Sequence, residues 1–470
     1  MNKDLLLKDI RIMLKDLKFQ IFFVILTVLF ILSSVSSAIN YQNKFDLYQE
    51  QVNSFQGRVK DGYYTKMIEM LSNNSIFLIN KPGSEMLFNT YDNYPDMLTN
   101  KVDFFNPYHI QLGGSKNEVF KLNWFFILGV LTGFIMLIMS FEAMSKEKRA
   151  GTLRLLSIYG FKRQVFFWHK YISYMILFLI VTIPACILSM LLFFVLTGMW
   201  SNIAIFNYIL IYLISTLFAS FFILLGIFIS MSKNYRSNIV MVIFIWLLFV
   251  IIIPQSANIF GKIISPLKTS IEYGRDYSIQ WNNEWTEWQD KYEEKVGGNG
   301  SLEDGLRAAA VYAADEKANS ESLKEINDNL KQIKTINMIA NISPFGQLEK
   351  IGEIIFDQGY YLLNHQHKTI ERKMTEIKNL MIEQDSKDSN SLHLFYSWAN
   401  TDKYATMDQG IYPFSNQVFE QPELLLIIEI ETDSILAKTL KILLRLLPII
   451  ILNLIFIVAN ILKINKLDIR

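Results

Sequence analysis

One charge-free stretch of this 470-residue chain decides the fold, and it reads Ile203-Ala-Ile-Phe-Asn-Tyr-Ile-Leu-Ile-Tyr-Leu-Ile-Ser-Thr-Leu-Phe-Ala-Ser-Phe-Phe-Ile-Leu-Leu-Gly-Ile-Phe-Ile-Ser230. A helix that crosses the ~30 Å hydrocarbon core of a membrane needs roughly 20 apolar residues. A charged side chain near the centre of such a helix costs ~2.5–3.5 kcal/mol on insertion scales. The stretch therefore predicts a membrane-spanning helix.

Five further charge-free runs lie on both sides of this stretch. They cover residues 19–39, 122–141, 171–197, 237–260 and 446–462, and we extend the last run back to residue 442. Together with 203–230, these runs predict six membrane spans. The sequence is therefore that of an all-α polytopic membrane protein, with extracytoplasmic insertions at 40–121 and 261–439.

The composition agrees with a membrane protein and excludes several other classes. Hydrophobic residues make up 51% of the chain and charged residues only 19%, which is more apolar surface than a soluble protein can cover. The 45 basic and 44 acidic residues nearly cancel, so a strongly basic nucleic-acid-binding surface is not expected. The single cysteine, Cys186, excludes an intramolecular disulfide and a cysteine-rich metal site.

The distribution of Lys and Arg predicts the orientation of the chain. Basic residues are concentrated in short segments between the spans, and acidic residues lie mainly in the two long insertions. Short cytoplasmic loops of membrane proteins carry an excess of Lys and Arg. We therefore expect a cytoplasmic N-terminus, a cytoplasmic C-terminus and two outside insertions. The expected cytoplasmic segments are 1–18, 142–170, 231–236 and 463–470.

The two insertions differ in their predicted secondary structure. The first insertion has a helix-compatible stretch from Tyr41 to Met70, followed by a strand-like run at 75–79 and a turn at Pro82-Gly83, so it is predicted to be mixed α/β. The second insertion is predicted to be mainly helical. Neither is apolar enough for a large core of its own, so the insertions pack either on each other or on a second copy of the chain.

The sequence contains no recognisable catalytic or metal motif. It lacks the Gly-x-x-x-x-Gly-Lys-Ser/Thr phosphate-binding loop, His-Glu-x-x-His and Gly-x-Ser-x-Gly. His365, His367 and the distant His393 suggest a metal site, but side chains two positions apart on a helix point ~200° apart. We therefore interpret them as surface histidines and predict no metal site and no catalytic residue.

Three polar residues in or near the last span have two interpretations each. Lys441 and Arg445 lie four residues apart on one helix face, where they contact either lipid headgroups or an anionic substrate. Asn453 lies inside the span and is either an interhelical hydrogen-bonding residue or a substrate contact.

The cytoplasmic loop at 142–170 is short, basic and partly apolar. A helix within 144–160 would place its leucines on one side, with Thr152 as a cap and Gly160 at its end. Such a helix either lies in the lipid headgroups or docks in a groove of a soluble partner.

This loop resembles the signature loop of ABC-2 type transporter permeases. Its matching residues are Glu147, Gly151, Thr152, Leu153, Leu155, Leu156, Ser157, Gly160, Arg163 and Lys170. The proline usual at the turn is absent, and Tyr159-Gly160 stands there instead. Residues 1–18 resemble the interfacial elbow helix of the family. The large insertions are similar to those of a subgroup that includes the permeases of gliding-motility and nitrous-oxide-reductase maturation systems.

The resemblance implies a function for the loop and the partners of the chain. Glu147, Gly151, Thr152, Leu153, Leu155, Leu156, Gly160 and Arg163 are then the docking residues for a separate ABC ATP-binding subunit. That partner holds ATP and Mg²⁺, and this chain holds no cofactor. The other expected partners are a second permease copy or paralogue and the bilayer of the bacterial cytoplasmic (inner) membrane. No nucleic acid is expected to bind.

Three classes of function stay open at this point. The first is an ATP-driven exporter. The second is a mechanotransmitting subunit that drives an extracytoplasmic process without passing substrate, which the size of the insertions favours. The third is a membrane scaffold or sensor that uses no ATP.

Overall fold

The computed structural model describes residues 3–60, 76–79, 82–90, 101–102, 122–152, 162–232, 235–296, 304–391, 393, 415–418, 427–429 and 433–466. Within these residues, six helices are long and apolar enough to cross a membrane, and this confirms the predicted number of spans. They cover Leu17–Ser54, Phe126–Arg149, Arg163–Thr197, Asn202–Ser230, Ser237–Ile264 and Ile435–Asn465.

The helices of the six spans are numbered in chain order. Helix α1 (Lys3–Leu14) precedes α2 (Leu17–Lys60), which contains span 1. Span 2 consists of a π-helical segment (Phe126–Leu131) and α3 (Thr132–Ser140), and α4 (Ala143–Arg149) follows it. Spans 3 and 4 are α5 (Arg163–Thr197) and α6 (Asn202–Ser230). Span 5 combines α7 (Tyr235–Leu247), a second π-helical segment (Leu248–Ile252) and α8 (Ile253–Ile264). Span 6 lies in α13 (Ile435–Asn465).

Spans 2 and 4 form the centre of the bundle. In their most apolar segments 61% and 67% of the residues are buried, against 17% in span 5 and 22% in span 6. In lipid no hydrophobic driving force brings helices together, so hydrogen bonds between the spans contribute to their association. Ser189 of α5 accepts a hydrogen bond from the Trp124 indole N–H at 2.8 Å and donates one to the Phe30 carbonyl at 3.0 Å.

The second insertion begins with three helices after span 5. Helices α9 (Ser270–Val296) and α10 (Asp304–Ala340) form a hairpin, and α11 (Pro344–Ile355) turns back toward the bundle. Helix α12 (Gly359–Lys387) follows. In the first insertion, Ser84–Met86 form a short 3₁₀ helix.

A three-stranded sheet joins the two insertions. Strand β1 (Ile76–Ile79), which lies in the predicted strand-like run, pairs antiparallel with β2 (Lys101–Val102) and parallel with β3 (Ile427–Glu429). The registers place Ile76 opposite Val102 and Phe77 opposite Ile427. The insertions therefore pack on each other, which is one of the two predicted arrangements.

Helix α11 is buried along its whole length, although it belongs to an insertion. Ser343 begins it by accepting a hydrogen bond from the Phe345 N–H at 3.1 Å, and Pro344 occupies the first turn. The Phe345 ring lies against Gly129 of span 2, and the Ser343 hydroxyl donates to the Phe249 carbonyl of span 5. The start of α11 is thus inserted between the spans.

In each π-helical segment, one backbone carbonyl accepts a hydrogen bond from a side chain outside the segment. The Trp246 indole donates to the Val130 carbonyl at 3.3 Å in the first segment, and Ser343 donates to Phe249 in the second. A π-helical turn disturbs the regular hydrogen-bond ladder. Side chains from neighbouring elements therefore stabilise the two irregular places of spans 2 and 5, beside α11.

Candidate functional site

The site that the sequence singles out lies at the end of the bundle formed by α1, α4, the start of α5 and the end of α13. We call this end the termini end and the opposite one the insertion end. Contacts between α1 and α5, and between Arg163 and Asn465, define the termini end. Glu147, Gly151, Thr152 and Arg163 are the predicted docking residues that the structure describes at this end.

Helix α4 is followed by Gly151, whose left-handed backbone conformation favours glycine. Gly151 has a φ of +73°, and a Cβ built there would meet no atom within 4 Å. The positive φ of the backbone, and not a lack of room for a side chain, therefore accounts for this glycine. The predicted helix within 144–160 is thus not continuous, because α4 stops at Arg149 and the positive φ of Gly151 redirects the chain before Thr152.

Thr152 and Glu147 close the end of α4. The Thr152 hydroxyl contacts the Glu147 carboxylate and lies 3.0 Å from the Glu147 carbonyl oxygen. Thr152 was predicted to cap the helix that follows it; in the structure its hydroxyl binds the preceding turn. This bond fixes the direction in which the chain leaves α4.

Lys170 joins three elements at the base of the loop. Its Nζ lies 2.7 Å from Glu147 Oε1 of α4 and 2.8 Å from Asp9 Oδ2 of α1, while only 5% of its side chain is exposed. His169 adds a contact, with its Nδ1 3.3 Å from Asp9 Oδ2. A buried lysine is stable when its charge is paired and its hydrogen bonds are made. We call Asp9, Glu147, Thr152 and Lys170 the loop anchor.

The structure separates the other predicted docking residues into two groups. Leu153, Leu155, Leu156 and Gly160 lie outside the described residues. Arg163, at the start of α5, donates from Nη1 to the carbonyl of Asn465 at 3.0 Å. It thereby binds the C-terminal end of α13, where cations complement the free carbonyls.

Lys441 and Arg445 bind within the protein at the insertion end. Lys441 forms an ion pair with Asp433 and lies 5.3 Å from the centre of the Tyr361 ring. Arg445 Nη1 lies 3.4 Å from Asn341 Oδ1. Burial alone would raise the pKa of Asp433, but hydrogen bonds from Lys441 and Tyr361 outweigh it and lower that pKa.

Asn453 is buried and bonded to neighbouring helices. Its Oδ1 accepts from the Ser220 hydroxyl at 2.8 Å, and its Nδ2 lies 3.2 Å from the Leu217 carbonyl oxygen of α6. The Nδ2 also lies 2.9 Å from the Ile449 carbonyl oxygen of its own helix. These contacts are those of an interhelical hydrogen-bonding residue.

The histidines do not converge on one point. His365 Nε2 faces Asp433 at 3.5 Å, and His393 Nδ1 faces Asp385 at 3.6 Å. Desolvation lowers the pKa of His365. In the described part of the chain, no group of three or more His, Cys, Asp or Glu side chains is arranged to hold a metal ion.

Two features of functional interest were missed in the sequence. Asp9 was not identified as a partner of Lys170, because 161 positions separate them. The second insertion was predicted only to be mainly helical, and the burial of Glu349, Lys350 and Glu353 of α11 was not foreseen. Lys350 Nζ lies 2.5 Å from Glu353 Oε1. The sequence of α11 has an apolar residue at every third position (Phe345, Leu348, Ile351 and Ile354), which predicts one buried face but not the burial of the charged residues between them.

Comparisons with known proteins agree with this architecture. The model of a family described as ABC-2 family transporter protein matches residues 4–344, a range that includes spans 1–5 and the loop anchor. Comparisons with curated proteins and with solved structures gave no match. The match extends over more than half of the chain, and the six spans provide the membrane-embedded structure that such a subunit needs. The chain therefore belongs to the ABC-2 family of transporter proteins and is a multi-pass membrane subunit of the ABC permease type.

Proposed function

We propose that this chain couples ATP hydrolysis in a separate ATP-binding subunit to export across the bacterial cytoplasmic membrane. One observation carries the proposal: the loop that resembles the family's docking loop is fixed to two other elements by a buried lysine. Lys170 contacts Glu147 of α4 and Asp9 of α1 at the same time. A force applied to the loop therefore reaches α1 and span 3 without first bending a flexible connection.

The anchor is suited to transmit motion in a definite direction. Helix α1 leads through Lys15 and Asp16 into span 1, and Lys170 is part of span 3. Spans 1 and 3 also pack on each other along their length. When the partner pushes the 153–160 segment, α4, α1 and span 3 are expected to move as one unit relative to the rest of the bundle.

The orientation and partners of the chain follow from the same reasoning. The short segments at the termini end are rich in Lys and Arg, and the insertions carry most of the acidic residues. This distribution supports a cytoplasmic termini end. The ATP and Mg²⁺ then belong to the partner subunit, and a second permease copy or paralogue completes the transporter. The subgroup with large insertions stays a prediction.

A second function, mechanotransmission, is favoured by the length of α2. This helix has 44 residues, which corresponds to about 66 Å at 1.5 Å per residue. The hydrocarbon core accounts for ~30 Å of it. A continuous helix thus runs from the termini end through the membrane and far beyond the insertion end, where it can move the insertions directly.

The coupling is tested with the substitution Leu153→Asp. The chain is reconstituted with its ATP-binding partner in proteoliposomes, and ATP hydrolysis is compared with that of the partner alone. A charge on the docking face is expected to remove the stimulation of hydrolysis. Leu47→Asp is the matched control, because Leu47 is an exposed leucine of α2 that lies beyond the charge-free run 19–39. Unchanged stimulation with Leu153→Asp would contradict the docking role of the loop.

Export and mechanotransmission are distinguished by breaking the long helix. Two glycines are inserted after Ser54, in the polar part of α2 that follows the charge-free run 19–39. A mechanotransmitter is expected to keep ATP hydrolysis but lose its extracytoplasmic effect. An exporter keeps both hydrolysis and transport, because the helix beyond the membrane is not part of its path.

A further inference from the structure

Helix α1 carries one exposed face that the loop anchor does not use. A shallow depression of about 320 Å³ on this face is lined by four side chains of α1 and by Lys15, which follows the helix; the four are Leu7, Lys8, Arg11 and Ile12. Leu7 and Ile12 are 51% and 56% exposed. We call these five residues the α1 cationic face.

The order of the side chains around the helix is unusual for a helix at a membrane surface. At about 100° per residue, Lys8 and Arg11 lie within roughly 60° of each other, with Leu7 on one side and Ile12 on the other. Lys15 lines the same depression just after the helix ends. An interfacial helix ordinarily turns its apolar face to lipid and its cationic face to water. Here the apolar face, which contains Ile10, is already packed against the bundle.

The three cations have no counter-ion in the described part of the protein. Lys8, Arg11 and Lys15 form no ion pair with any described side chain, whereas Asp9, one of the two acidic residues of α1, points to the other side and binds Lys170 at 2.8 Å. The neighbouring Lys18 differs from them, since it pairs with Glu142 at 3.4 Å. The fixed position of Asp9 therefore sets the orientation of α1, in which Lys8 and Arg11 are exposed, as is Lys15 just after the helix.

The location of this face favours a lipid over a soluble partner. Residue Leu17, two positions after Lys15, begins α2 and is 68% exposed, and the exposed apolar residues of span 1 follow it. The cationic face is thus continuous with a surface that contacts lipid tails. A phosphate among the cations would place its glycerol and acyl carbons beside Leu7 and Ile12.

We infer that the α1 cationic face binds the phosphate headgroup of an anionic phospholipid in the leaflet at the termini end. Each Lys or Arg near an anionic membrane surface contributes ~1 kcal/mol, or about fivefold in affinity. Three cations therefore give a preference on the order of 100-fold for phosphatidylglycerol over zwitterionic phosphatidylcholine. This inference concerns the chain alone and does not depend on coupling to ATP.

The test compares lipid retention by the purified full-length chain. The protein is titrated with phosphatidylglycerol or phosphatidylcholine in neutral detergent, and native mass spectrometry counts the bound lipids. In the variant Lys8→Gln, Arg11→Gln, Lys15→Gln, the preference for phosphatidylglycerol is expected to fall on the order of 100-fold. Arg11→Lys, which keeps the charge, is expected to retain it.

The matched control removes three exposed lysines from α10: Lys317→Gln, Lys331→Gln, Lys334→Gln. It changes the net charge equally and is expected to leave the preference unchanged. Equal losses in the two triple variants would overturn the inference, and so would an unchanged preference in the α1 variant. Displacement of the lipid by an equal concentration of inorganic phosphate would also overturn it, because the site would then bind free phosphate. A loss of binding to the ATP-binding subunit with unchanged lipid retention would assign the face to that protein instead.

Discussion

Replacing Lys170 with Met tests whether the loop anchor is a buried ion cluster that holds three elements together. The substitution keeps the length of the side chain and removes its charge. Asp9 and Glu147 then face each other without a cation between them, and both side chains are mostly buried, at 17% and 25% exposed. Removing one partner of a buried ion pair typically costs ~3–5 kcal/mol. Because the two carboxylates keep some contact with solvent, we expect about 3 kcal/mol.

The control for this substitution is Lys18→Met at the same end of the bundle. Lys18 also pairs with a glutamate, Glu142, but the distance is 3.4 Å and 61% of the lysine side chain is exposed. Exposed pairs contribute only ~0–1 kcal/mol. The two variants thus share the residue type, the charge change and the membrane environment, and they differ in burial.

The free energy of unfolding is measured by denaturant titration in mixed micelles. A double-mutant cycle with Glu147→Gln gives the coupling between Glu147 and Lys170, because two directly interacting residues are not additive. The reasoning would be refuted if Lys170→Met and Lys18→Met destabilised the protein equally. It would also be refuted if the cycle gave no coupling energy.

Two further predictions concern α11. Burial raises the pKa of Glu353, which faces Lys350, Glu349 and Arg445. The free energy of unfolding that this side chain contributes is therefore fully present below the ordinary glutamate pKa. It is lost as the pH rises through the raised pKa. Melting temperatures between about pH 4.5 and 8 should therefore fall more in the wild type than in Glu353→Gln, and parallel curves would show that Glu353 does not titrate. Gly352→Ala should destabilise the protein by ~1–3 kcal/mol, because its Cβ would lie 2.3 Å from the Phe88 ring. Gly274→Ala in the exposed α9, where nothing lies within 4 Å, should instead stabilise it by ~0.5–1 kcal/mol, and the same sign for both would contradict the packing of α11.

The membrane spans could be predicted from sequence because their cause is local. A charge-free run of sufficient length must leave water whatever the rest of the chain does, and each of the six predicted runs overlaps one of the six membrane-length helices of the structure. Gly151, the glycine that follows α4, could also be identified from neighbouring residues of the sequence. Gly151 belongs to a recognisable motif, although its left-handed conformation appears only in the structure.

The features that connect distant parts of the chain could not be predicted in this way. The sheet brings Phe77 beside Ile427, and the loop anchor brings Asp9 beside Lys170. A strand of three or four residues and a single aspartate carry no local signal of their partners. Only the packing of α1 on α5 decides that Asp9 faces inward, and the same packing turns Lys8, Arg11 and Lys15 outward.

The sequence by itself determined the membrane class and the number of spans, and it pointed to the loop that we propose as the docking loop, since hydrophobic length and charge are properties of consecutive residues. The tertiary structure alone decided that α11 is buried with its charges and that Lys170 closes the loop anchor. A charged side chain becomes stable in a buried place when a partner from elsewhere in the chain pairs with it. The pairing of Lys170 with Asp9 is a property of the fold, because 161 positions of the sequence separate its two members.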